Sequence, residues 1–153
     1  MLICDNNLLS SLKLTGCSNL LVLNCINNHL TKLDFLNDLP SKKLRELWID
    51  NNRFINGRVP FDLTPFSRFV NLELLRLGNW DPKRIKNNKI NHFADSTEPL
   101  KELTKLRGLG IENTDIELKE LSENVEIILH ASHKNKQLKE QKAQIEIPPK
   151  INH

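Results

Sequence analysis

Residues Leu20-Leu21-Val22-Leu23-Asn24-Cys25-Ile26-Asn27-Asn28-His29-Leu30 decide the fold. By position they read L-x-x-L-x-C-x-x-N-x-L. Leu23 and Cys25 are two residues apart, which points both to one side of a short strand. Val22, Asn24 and Ile26 then point to the other side. Asn28 falls where the chain must bend out of that strand. Its amide can bond backbone groups that the bend leaves unpaired.

The pattern recurs. Leu2-x-Cys4-x-x-Asn7-x-Leu9-x-x-Leu12-x-Leu14 superimposes on Leu23-x-Cys25-x-x-Asn28-x-Leu30-x-x-Leu33-x-Phe35 with a shift of 21 residues. Further copies are Leu44-x-x-Leu47-x-Ile49-x-x-Asn52-x-Phe54, Leu72-x-x-Leu75-x-Leu77 and Leu106-x-x-Leu109-x-Ile111-x-x-Thr114-x-Ile116. The last, Val125-x-x-Ile128-x-His130, is degenerate and places Ile128 and His130 inward.

These residues resemble the leucine-rich-repeat family, and the resemblance covers Met1 to about His133. It implies an α/β fold: a right-handed solenoid over residues 1–133, with about six parallel concave strands and short convex helices or loops. Asn7, Asn28 and Asn52 would form its structural asparagine ladder. The run from Leu72 to Ile116 is also similar to fungal leucine-rich-repeat proteins, some of which bear a kinase-like domain. No kinase motif is present here.

Solenoid ends need polar caps, because each unit buries its apolar side only against neighbours. Met1 opens directly inside a repeat, so an N-terminal cap is expected to be missing. Residues 134–153 hold five lysines and two glutamates and are expected to form a basic capping helix or tail. Between these limits residues 78–99 interrupt the pattern. They are expected to form an insertion loop that tucks Ile85, Ile90 and Phe93 under the repeats. Glu98 to Lys105 then suggests a short convex helix with Pro99 in its first turn.

Composition narrows the function. At 39% hydrophobic and 27% charged, the chain is expected to be soluble and folded. It contains no apolar run long enough for a membrane span. Taking the terminal five lysines and two glutamates from totals of 22 basic and 19 acidic residues leaves 17 of each. That balance argues against a nucleic-acid interface. Three cysteines, no glycosylation sequon and no visible signal peptide favour a cytoplasmic protein with reduced thiols over a secreted receptor-like ectodomain. Cys4 and Cys25 share one inward register position, and Cys17 lies on the convex side.

Chemistry is sparse. His130-x-x-His133 is the one close histidine pair and has no third ligand nearby, so no metal site is expected. Gly108-x-Gly110 falls within a strand with no G-K-[ST] after it, so it is not a phosphate loop. No nucleophile motif is recognisable, and neither catalysis nor a cofactor is expected.

The outward strand positions offer more. Ile3, Asn24, Trp48, Arg76, Gly110 and Leu129 should form one row across the strands, flanked by Glu46 on one side and by Asp50 and Glu112 on the other. Strands about 4.8 Å apart would make these a continuous surface. Asn24, Glu46, Trp48, Asp50, Arg76 and Glu112 are therefore the expected contacts for a protein partner, with Trp48 and Arg76 at their centre. The alternative function is a regulatory or substrate-recognition segment of a larger enzyme, such as a kinase or ubiquitin ligase.

Overall fold

Each inward pair in the sequence supports only a short strand, and short strands are what form. The computed structural model describes residues 1–130 as a mixed α/β structure built on a six-stranded parallel sheet. Its strands are β1 (Leu2–Ile3), β2 (Val22–Asn24), β3 (Glu46–Trp48), β4 (Leu74–Arg76), β6 (Gly108–Gly110) and β8 (Glu126–Ile127). They lie in the order β1-β2-β3-β4-β6-β8. The remaining strands, β5 (Ala94–Ser96) and β7 (Asp115–Glu117), pair separately and also in parallel.

Register aligns Leu2, Leu23, Leu47, Leu75, Leu109 and Ile127 in one column. Leu23, Leu47, Leu75 and Leu109 are fully buried. Opposite the sheet run 3₁₀ turns at Asp34–Asp38, Thr64–Phe66 and Glu98–Leu100. Within the core the rings of Phe35, Phe54 and Phe93 follow one another at centroid spacings of 6.0 Å.

The bends depend on asparagine twice over. Asn6, Asn27 and Asn51 take positive φ of 56°, 58° and 52°, which asparagine tolerates better than most side chains. Their side chains link up: Asn51 Nδ2 donates to Asn27 Oδ1 at 2.9 Å, and Asn27 Nδ2 to Asn6 Oδ1 at 2.7 Å. The asparagine that follows each of them supplies the ladder amide. Asn28 Nδ2 donates to the Cys4 and Cys25 carbonyls, while its Oδ1 accepts the Leu9 N–H. Asn52 repeats this with Cys25, Ile49 and Leu30. Both are fully buried. Asn7 makes only the local half of the pattern, to Cys4 and Asp5, and is exposed.

Several expectations need correction. Register places Ile127, not Ile128, against Leu109. A slip of one residue reverses every side chain, so Ile128 and His130 join the outward face. The insertion contains helix α1 (Pro82–Lys86) and buries Phe93, but Ile85 and Ile90 remain half-exposed. Around Pro99 there is a 3₁₀ turn of three residues in place of a longer helix. Cys4 is half-buried, whereas Cys25 is buried. His133 and the expected C-terminal cap or tail lie outside the described residues.

The insertion also relocates a ladder residue. The position equivalent to Asn52 after Leu77 is Trp80, and the amide comes from Asn91. Asn91 Nδ2 donates to the Ile49 and Leu77 carbonyls at 3.0 Å each. Its Oδ1 accepts the Asn52 and Phe54 N–H groups. Asn79 anchors it in turn, accepting the Asn91 N–H and donating to the Asn91 carbonyl.

Candidate interaction face

Asn24, Trp48, Arg76 and Gly110 are direct neighbours across β2, β3, β4 and β6, as their register predicts. Trp48 is held on both sides. Its Nε1 donates to Glu46 Oε1 at 3.0 Å, and the Arg76 guanidinium carbon lies 4.9 Å from its ring centroid. That distance is within reach of a cation–π contact. Arg76 Nη2 also meets Asp50 Oδ2 at 3.0 Å. The Asp50 side chain is 1% exposed and that of Arg76 14%, so water screens this pair little.

Trp80 completes the group. Its Nε1 donates to Asp50 Oδ2 at 3.0 Å, and Asn51 Oδ1 holds its backbone N–H. The His130 ring stacks on it at 3.8 Å between centroids and 8° between planes. His130 N–H in turn donates to Glu112 Oε1 at 2.9 Å. Burial pushes the Asp50 carboxyl above its usual range, while Arg76 and the Trp80 N–H pull the other way. Asp50 Oδ1 and Arg76 Nε are buried without hydrogen-bond partners among the described residues.

Of the six contacts expected from sequence, five belong to one connected group: Glu46, Trp48, Arg76 and Asp50 directly, and Glu112 through His130 and Trp80. Asn24 stands apart, its Oδ1 turned back to the Ile26 N–H. Trp80 and His130 were not among the expected contacts. Trp80 is delivered by the insertion, and His130 faces this way only in the corrected register.

Glycine shapes the same face. An added Cβ at Gly78 would sit 2.6 Å from the Glu112 nitrogen, because β4 and β6 continue in close contact beyond their ends. At Gly108 it would meet Leu74 Cδ1 at 2.8 Å and Ile128 Cδ1 at 3.3 Å. Leu74 and Ile128 thus converge over Gly108. They lie in a groove of about 980 Å³ that Glu46 and Glu126 also line.

Among the described residues, no group of three or more histidine, cysteine, aspartate or glutamate side chains is placed to hold a metal. No helix among them is long and apolar enough to cross a membrane. Comparison with protein-family models and with curated protein sequences finds no match for this chain.

Proposed function

We propose that the chain is a right-handed leucine-rich-repeat solenoid that binds another protein through the outward face of its six-stranded sheet. The repeat assignment is supported by the buried leucine column and by asparagines whose amides bridge successive turns. The observation that carries the binding assignment is the Trp48–Arg76–Asp50 group. It places an aromatic ring and an arginine together on a sheet, braced by a buried carboxylate. Tryptophan and arginine are the residue types that dominate binding energy at protein interfaces. A surface held this firmly loses little conformational freedom when a partner docks.

On this reading the chain is a cytoplasmic interaction module with no chemistry of its own, its three cysteines free. Glu46, Trp48 and Arg76 contact the partner. Asp50, Glu112, Trp80 and His130 hold the surface in shape. The test is affinity capture with the parent chain, followed by titration of the captured protein against the parent and Trp48→Ala. Binding weakened about thirtyfold supports the assignment, and unchanged binding rejects it.

A further inference from the structure

The charge on the sheet is not shared evenly. Residues 1–130 balance overall, yet the accessible outward positions of the six strands and their immediate extensions carry Asp5, Glu46 and Glu126, whereas Asp50 and Glu112 are buried and Asp50 is paired with Arg76. Two cations, Lys105 and Arg107, line the groove beside Glu46 and Glu126. Arg107, at the mouth of the groove, is tied to Glu73 at 2.6 Å, and Lys105 stands exposed on the same rim.

A second observation is the groove lined by Glu46, Leu74 and Glu126. Its floor is Leu74 and Ile128 meeting over Gly108, with Glu46 on one side and Glu126 on the other. An aliphatic floor between two carboxylates suits a side chain of moderate size flanked by cations.

We propose that the partner presents a basic segment to this face, with an aliphatic residue against Leu74 and Ile128 and lysine or arginine against Glu46 and Glu126. Opposite charge across such an interface speeds encounter and rejects acidic competitors. The proposal rests on the sheet face being the binding surface and adds the chemistry of what binds there.

The test uses the full chain and two labelled ten-residue peptides. One has lysine and arginine flanking a central valine, and the other has glutamate at the charged positions. Fluorescence anisotropy should show the cationic peptide binding, with affinity falling roughly tenfold between low and moderate salt as the charges are screened. The glutamate peptide should not bind. The variant Glu46→Gln, Glu126→Gln should weaken the cationic peptide about tenfold without moving the melt, because glutamine can still accept from Trp48 Nε1. Equal binding of both peptides, binding of neither, or an unchanged affinity in the double variant overturns the proposal. A captured partner that is lost with Trp48→Ala but ignores the glutamine variant would remove only the charge assignment. Indifference to Trp48→Ala would remove the face itself.

Discussion

The side-chain oxygen of Asn91 accepts the backbone N–H of Asn52 at 3.1 Å, across 39 residues of sequence. Through that bond and its own two donations, Asn91 closes the gap in the ladder that Trp80 leaves. Asn91→Ala should therefore cost roughly 1–3 kcal/mol, as should Asn28→Ala and Asn52→Ala, since each strands buried backbone groups. Asn7→Ala, on an exposed bend, should stay within about 0.5 kcal/mol. Urea melts of the four variants check this. An Asn91 variant no less stable than the Asn7 variant would contradict it.

The close approach at Gly78 gives a second expectation. Gly78→Ala puts a methyl group against the Glu112 backbone and should destabilise by about 1–3 kcal/mol. At Gly110 the added Cβ finds its nearest atom, Arg76 Cγ, at an ordinary 3.5 Å, so Gly110→Ala should change little. Thermal melts of the two variants should separate clearly.

The sheet was legible because its signal is local. Two apolar residues at spacing two, followed by asparagine three places on, determine strand, inward side and bend within seven residues. Where the apolar pair persists, from Leu2 to Ile111, the expected register is the observed one. It failed at Val125 to His130, where Val125, Ile127, Ile128 and Leu129 are all apolar and alternation cannot choose a side. Packing of Ile127 under Leu109 chooses instead. Asn91 was hidden for a different reason. An insertion moves the ladder residue along the chain, and only the folded turn brings it back beside Ile49 and Leu77. The paired asparagines carried a readable signal, since the first of each pair takes the left-handed bend and the second the ladder. Of the interaction group, Trp48 and Arg76 follow from register alone, whereas Trp80 and His130 depend on those two long-range events.

Cys4 should be more reactive than its inward register position suggests. The Cys25 thiol hydrogen-bonds to it and lowers its pKa to about 7, whereas Cys25 itself is raised, by holding that bond and by burial. Alkylation of folded protein should modify Cys4 well before Cys25, with a rate that climbs through pH 7 as the thiolate forms. Cys25→Ala removes the donor, so the climb should move toward the ordinary thiol range. Peptide mapping after brief iodoacetamide treatment identifies the site. Preferential labelling of Cys25 would reverse the assignment.

Arg76 has a structural duty as well as an exposed edge. Arg76→Ala leaves the Asp50 carboxylate buried without its cation, a loss of about 3–5 kcal/mol for a pair this enclosed. Adding Asp50→Asn should recover part of that loss, because the orphaned charge is gone. Urea melts of the single and double variants measure the coupling. A melt unaffected by Arg76→Ala would mean the pair is not structural. For the same reason Arg76→Ala is a poor probe of binding.

Trp48 is free of that difficulty, because its ring is partly exposed and its contacts are with Glu46 and Arg76 at the surface. The most direct measurement is the dissociation constant of a captured partner for Trp48→Ala against the parent, by calorimetry, with both melts recorded. The account predicts affinity lower by on the order of 2 kcal/mol, near thirtyfold, with melts that coincide. Equal affinity for parent and variant would contradict the claim that this face is where the protein binds.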